Sequence, residues 1–374
     1  MTFEKILGHQ SVKKYLQENI ENGRIAHAQL FIGEEGIGVL PMAIAYATQI
    51  ICLEGDENTL RKCENLSHPD LHFAFPTATN SKVKKDPVSS LFMEEWRGFV
   101  SENPYGTIFD WYQHIGIENK QGNMGVAEAK EITDKLALKS FEGGYKVMVI
   151  WMAELMNTEC ANKLLKLLEE PPAKTIFILV SQNEHQILTT ILSRCQITRF
   201  SKLGDATIKE GLMQRGISTK QATAIALRAQ GNYKRALNLL ENQSDETIFE
   251  EWFIRWVRTA FRAKGNKASI LGLLQWSEEI SSRGREMQKQ FLDYCLEIFR
   301  QALLLNYGAN ELIYSQFQDT SFQLEKFAPF IHHNNIEAIQ NEIETAIYHI
   351  ERNGNGKVIL TDLSIKLTRL LHTK

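Results

Sequence analysis

Proline is scarce in this chain: 8 occur in 374 residues, and none lies between Pro172 and Pro329. Because proline breaks helix interiors, that gap leaves residues 173–328 permissive for helix, and their later part shows helical periodicity. Long hydrophobic runs are missing too. None approaches the ~20 residues of a bilayer-spanning helix, and Met1-Thr2-Phe3-Glu4-Lys5 carries no signal-peptide pattern. No membrane contact is expected, and the expected location is the cytoplasm. Cysteine is sparse: five, at positions 52, 63, 160, 195 and 295, an odd and scattered set that makes no disulfide framework and fits a reducing compartment. Positive charge is not in excess either. Lys and Arg number 42 against 45 Asp and Glu, a net charge of −3, which excludes a chain that binds nucleic acid chiefly through its own phosphate contacts.

The most telling absence is local. Gly33-Glu34-Glu35-Gly36-Ile37-Gly38-Val39-Leu40 has the glycines of a phosphate-binding loop without its chemistry. A working GxxxxGK(S/T) loop uses Lys to reach the β- and γ-phosphates and a hydroxyl to hold Mg²⁺. Val39 stands in the Lys position and Leu40 in the hydroxyl position. Gly33, Gly36 and Gly38 still permit a tight strand-to-helix turn. A second defect matches the first. The apolar strand Val147-Met148-Val149-Ile150 continues into Trp151 and Met152, where an acidic pair would organise Mg²⁺ and polarise water. Two defective motifs at this separation point to an ATPase fold that has abandoned its nucleotide site.

At ~150 residues per domain the length predicts two or three domains. Ala28–Ile32, the glycine turn and Met42–Ala47 read as strand, turn and helix, the opening of a parallel α/β unit. Further buried strands are predicted at Tyr145–Ile150 and Thr175–Val180. Between them a helix over Thr158–Glu170 is stopped by Pro171-Pro172. The fold class predicted is α/β, a doubly wound parallel sheet over 1–202, followed by a small helical module at 203–243 and an all-α domain at 244–374. Within the module, Thr219–Gln230 stops at Gly231-Asn232 and restarts at Lys234-Arg235. Asn242-Gln243-Ser244-Asp245 reads as a polar linker with Asp245 as an N-cap. In the last domain Trp252, Phe253, Trp256, Val257 and Phe261 are expected to share one face, and Phe291, Tyr294, Cys295, Ile298, Phe299 and Leu303 another. Residues 77–124 form an insertion dense in aromatics, with Trp96, Phe99, Tyr105, Phe109, Trp111 and Tyr112. Basic Ser81–Lys85 beside these rings could stack bases. The acidic Glu94, Glu95, Glu102, Asp110 and Glu118 favour instead an insertion that folds onto the sheet or meets a partner.

Ile6-Leu7-Gly8-His9-Gln10, Arg24–Ala28, the damaged loop, His68-Pro69-Asp70, Glu169-Glu170-Pro171-Pro172 and Ser193-Arg194-Cys195 occur in that order. Over roughly residues 1–240 this succession resembles the bacterial clamp-loader subunits, ATPases of the AAA+ type; the run from Leu164 through Pro172 combined with Ser-Arg-Cys is the specific part. The resemblance implies an AAA+ sheet domain, a helical lid and a C-terminal collar. It also implies a pentameric arc that places a sliding clamp on primed DNA, using ATP held between neighbours. Implied partners are the ATPase subunits gamma and tau and the delta subunit, with clamp and primed DNA met through the complex, a component of DNA polymerase III holoenzyme. Arg194 would reach in trans, as an arginine finger, to phosphates bound next door. No cofactor of its own is expected, ATP being bound by neighbours.

Asn183, after the third strand, matches the family's sensor position but reads as a structural hydrogen-bonding residue here. Lys234 or Arg235 matches a lid arginine and could tie the lid to the sheet. Cys195 reads as a buried structural thiol rather than a nucleophile. Relatives carry a four-cysteine zinc module; this chain offers only Cys52 and Cys63, with His68 and His72 nearby, and lacks the short chelating spacings, so zinc is not expected. Two other readings stay open: an active NTPase in which Lys13 or Lys146 replaces the missing Lys, and an ATPase-fold scaffold outside replication.

Overall fold

The computed structural model describes residues 1–53, 55–117, 120–141, 144–241, 243–313 and 317–373. It divides into two compact units, Met1–Glu241 and Asn242–Lys374, so the helices expected as a separate module cluster with the sheet. The first unit is built on five parallel strands: β1 (Ala28–Ile32), β2 (Leu71–Ala74), β3 (Lys146–Trp151), β4 (Thr175–Ser181) and β5 (Gln196–Arg199), in the order β2-β3-β4-β1-β5. β1, β3 and β4 are buried throughout, as befits parallel strands covered on both faces. Alternation sorts their side chains between two cores. Phe31, Phe73, Val147, Val149, Ile176 and Ile178 face the helix Val39–Ile51. Leu30, Met148, Ile150, Phe177 and Leu179 face the helices Val126–Ala137 and Thr158–Glu169.

Two of these strands have no counterpart in the sequence reading. β2 is only four residues, and β5 is a polar edge strand with exposed Gln196 and Arg199. Short, charged edges protect a sheet from further pairing and by the same token hide from an apolar-run search.

The insertion folds onto the sheet. Trp96 and Phe99 on the helix Met93–Glu102 and Trp111 on the helix Ile108–His114 are buried in the same core as Phe31 and Phe73. Trp96 stacks on Phe75 at 4.2 Å and meets Trp111 edge-on at 5.3 Å and Trp151 at 5.2 Å. Trp111 Nε1 donates to Pro76 O at 2.8 Å. Rings held this way are not available to stack bases. Trp151, in the lost acidic position, is thus a brick of this cluster.

Glu128, in the first turn of the helix Val126–Ala137, ties the insertion to the other face of the sheet. Its Oε2 accepts the Ser89 N–H at 2.8 Å, and Ser89 Oγ donates to Phe75 O at 3.1 Å. Burial pushes its carboxyl from 4.5 up to about 7, against the pull of the Ser89 hydrogen bond. Between those two values the folded chain keeps a proton that the unfolded chain releases, so stability falls as pH rises; above about 7 the loss is complete. Glu128→Gln keeps an acceptor for Ser89. It is expected to flatten this decline and to add on the order of 2–3 kcal/mol at pH 8, which calorimetry from pH 5 to 8 would check.

The second unit is helical, with Trp252, Phe253, Trp256, Val257, Phe291, Cys295, Ile298 and Phe299 in one core and Tyr294 and Leu303 packed partly buried against it. Trp256 stacks on Trp276 at 4.9 Å. Phe261 departs from its expected face: it is 42% exposed, meets Phe330 edge-on and stacks on His372 at the surface. The expected linker is also revised. Asn242 lies outside the described residues, but the helix Gln243–Arg262 already includes Asp245, which is therefore no N-cap.

Candidate functional site

The glycine loop leaves the carboxyl end of β1, where open parallel sheets bind their ligands. Gly33 N donates to Ser181 O at 3.1 Å, fastening the loop to the end of β4. Gly36 and Gly38 take φ of +77° and +108°, conformations that strain any other residue. Gly38 caps the helix Val39–Ile51, in which Val39 and Leu40 are buried.

The rest of the first unit closes over this loop. Asn232 Nδ2 donates to Glu35 O at 2.8 Å, and Lys234 N donates to Gly36 O at 3.1 Å. A Cβ on Gly36 would stand 2.3 Å from Asn232 Oδ1, so glycine here admits the lid. Ile108 N donates to Glu35 Oε1 from the insertion side. Tyr105 lies against Gly38, 3.0 Å from where a Cβ would be, and its hydroxyl accepts the Leu7 N–H at 2.9 Å. The free volume left among the loop, Tyr105, Trp151, Met152, Ser181 and Gln182 is about 20 Å³. That is room for about one water, against roughly 300 Å³ or more for an ordinary small-molecule pocket.

Where the acidic pair is missing, Trp151 and Met152 are buried, and Met152 Sδ accepts from Gln182 Nε2 at 3.8 Å. The next carboxylate along the chain, Glu154, accepts the Gln182 N–H at 2.9 Å, so it braces β3 against β4; burial raises its pKa. Asn183 Oδ1 accepts the His185 N–H at 3.0 Å, the structural role expected of it. Lys234 Nζ pairs with Asp110 Oδ1 at 3.3 Å, and Arg235 Nη1 donates to Gln230 Oε1 at 3.0 Å.

Neither substitute lysine reaches the loop. Lys146 begins β3, level with Thr175, at the opposite end of the strands from Gly33, and its Nζ donates to Leu136 O and Leu138 O at 2.5 and 2.6 Å. Lys13 Nζ donates to Ile6 O at 2.5 Å. Cys63 is buried and Cys52 packs partly buried against the same core. His68 Nδ1 accepts the Asp70 N–H at 3.1 Å. Among the described residues no group of three or more His, Cys, Asp or Glu is placed to hold a metal.

Arg194 sits after the short helix Thr189–Leu192, just before β5. β5 enters the sheet level with Gln29, and the glycine loop leaves β1 four residues later, about 13 Å along the strand. Arg194 therefore lies at the opposite end of the strands from its own loop. Its side chain is 31% exposed. Arg194 Nε donates to Glu169 Oε1 at 2.6 Å, Nη2 also meets Glu169, and Nη1 donates to Thr190 O at 2.7 Å. Cys195 is partly buried rather than buried, and burial pushes its thiol up to about 11, the wrong direction for a nucleophile. Sequence reasoning missed Asn232 and the placement of Tyr105 on the loop. The glycines at 36 and 38 were the signal, since each marks a close approach as well as a turn.

A protein-family profile described as DNA polymerase III, delta subunit, matches residues 8–204. Among curated proteins, DNA polymerase III subunit delta' of Bacillus subtilis is 27% identical over 310 residues, 81% of this chain and 80% of that protein. Subunit delta' of Escherichia coli is 33% identical over 147 residues, 38% of this chain and 44% of that protein. Subunit tau of Bacillus subtilis is 28% identical over 250 residues, 64% of this chain and 37% of that protein. A solved DNA polymerase III gamma subunit-related protein from Thermotoga maritima aligns over 97% of this chain and 99% of that one at 14% identity and a TM-score of 0.39, too weak a likeness to carry an argument. The profile spans more than half of the 374 residues and takes in the glycine loop, the five strands and Arg194: the chain belongs to the DNA polymerase III delta subunit family and is a clamp-loader subunit of the AAA+ class.

Proposed function

We propose that this chain is the non-hydrolysing stator of its clamp loader, binding no nucleotide itself and donating Arg194 to ATP held by a neighbouring gamma or tau subunit. The observation that carries this reading is the closed glycine loop, with about 20 Å³ free and no Lys or hydroxyl at Val39 and Leu40. Catalysis of phosphoryl transfer is mainly positioning and charge stabilisation, and here the positions that would supply the lysine and the metal-binding hydroxyl hold Val39 and Leu40. A partly exposed guanidinium remote from its own loop supports service to another subunit. The delta subunit, the sliding clamp and primed DNA are the further partners of this reading, met within the assembled complex in the cytoplasm.

Titration of the purified chain with Mg-ATP tests it. No binding heat is expected up to millimolar nucleotide, and no phosphate release above a buffer blank. Sustained hydrolysis that is abolished by Gly38→Ala would overturn the reading and restore an unconventional NTPase.

A further inference from the structure

The segment Asn103–Asp110 crosses the mouth of the closed loop and touches it and the lid together. At its near end, the Tyr105 ring lies against Gly38 and within 5.0 Å of the Tyr233 ring, edge-on. The Tyr105 hydroxyl takes the Leu7 N–H. Tyr105 is also a member of the lid's own core; the other buried members of that core all fall between Leu203 and Leu237. At its far end, Asp110 Oδ2 accepts the Thr107 N–H at 2.7 Å, fixing the carboxylate, while Oδ1 meets Lys234 Nζ. Asn103 Oδ1 accepts from the same ammonium at 3.4 Å. The Lys234 side chain is 9% exposed, and its backbone N–H is bonded to Gly36 of the loop. A buried ammonium beside an anion-binding loop needs a counter-charge. Here the chain supplies it.

We propose that residues 103–110 are a built-in ligand for the vacated nucleotide site. Tyr105 fills a slot for a planar aromatic group between Gly38, Tyr233 and the Leu7 N–H, and Asp110 supplies the anion for Lys234. Together they hold the lid helices Asp205–Gln214, Thr219–Ala229 and Tyr233–Glu241 against the sheet. This rests on the reading that the chain binds no nucleotide. An aromatic ring with one acceptor atom on its edge is the class of molecule that the slot takes once Tyr105 is removed. Burial pushes the Tyr105 hydroxyl up to about 12, so the ring stays neutral at any physiological pH.

Hydrogen exchange of the full chain, read over 205–241 with the helix Gln243–Arg262 as internal reference, tests the proposal. Tyr105→Ala is expected to speed lid exchange at least tenfold. 4-Methylphenol, the amputated side chain, is expected to restore protection saturably in that variant and to leave wild type unchanged. Asp110→Asn retains an acceptor for Thr107 but loses the charge, and is expected to speed lid exchange at least threefold. Should Tyr105→Ala not fold, Tyr105→Leu takes its place with the same expectation. Unchanged lid exchange in these variants, or no rescue by 4-methylphenol, overturns the built-in ligand. Mg-ATP added to wild type separates the two readings: new lid protection there would sink the nucleotide-free reading, whereas silence there with unaltered variants would sink the built-in ligand alone.

Discussion

Arg194→Ala is expected to slow ATP hydrolysis at one neighbouring site by about 10³-fold or more when the complex is reconstituted with its ATPase partners, clamp and primed DNA. A guanidinium set against the transferring phosphoryl spreads positive charge where negative charge builds, and an effect of 10³ to 10⁵ corresponds to about 4–7 kcal/mol of barrier. The substitution is a clean one for this chain. Arg194 is partly exposed and its partner Glu169 is 46% exposed, so losing their ion pair costs this subunit less than about 1 kcal/mol. Gel filtration of the mutant complex should match wild type. Arg194→Lys should recover little, because a point charge on a flexible stem does not reproduce the planar fork. Full hydrolysis by an intact mutant complex would return Arg194 to a local role, pinning the turn before β5 to the end of the helix Thr158–Glu169.

Trp96→Ala is expected to cost the first unit about 3–5 kcal/mol. Its indole is fully buried and touches Phe73, Phe75, Phe99, Trp111 and Trp151. No small rearrangement fills a hole with that many aromatic walls. For a unit of this size the melting temperature should fall by roughly 6–20 °C, seen by scanning calorimetry of the full chain. Trp96→Phe provides the contrast. Trp96 Nε1 is buried without a hydrogen-bond partner among the described residues, a defect worth about 1–3 kcal/mol that phenylalanine removes. Phe should therefore cost far less than Ala, and less than the lost area alone implies. A change of under about 1 kcal/mol for Trp96→Ala would mean that the insertion is not packed as described, and would reopen base stacking for its aromatics.

What the sequence disclosed depended on the kind of signal. The long apolar runs of β1, β3 and β4 and the leucine period of Thr158–Glu169 were legible because burial on both faces of a parallel sheet demands them. β2 and β5 were not, since four residues with a polar edge resemble loop. The aromatics of the insertion were visible as a cluster, but whether Trp96 and Trp111 meet solvent or the sheet is a tertiary fact with no local signature. Asp245 was misplaced because a polar quartet reads alike as linker and as the exposed first turn of a helix. At the site, the losses at Val39, Leu40, Trp151 and Met152 could be read directly. What replaced them could not: Tyr105, Asn232 and Lys234 lie 67, 194 and 196 residues from Gly38 and meet the loop only through folding, and Glu169 meets Arg194 across 25 residues of sequence.

The bonds from Asn232 and Lys234 to the glycine loop join two parts of one covalent chain. A ligand in solution competes by concentration, and its occupancy rises and falls with supply. A tethered one never dilutes, and its effective concentration is set by chain geometry alone. On the proposed reading that this chain binds no nucleotide, the lid would have the same posture in a starved cell as in a replete one. In an assembly whose other members followed the ratio of ATP to ADP, as that reading has it, the lid would be the part that carries no information about energy charge, and so the part against which their movements could be timed.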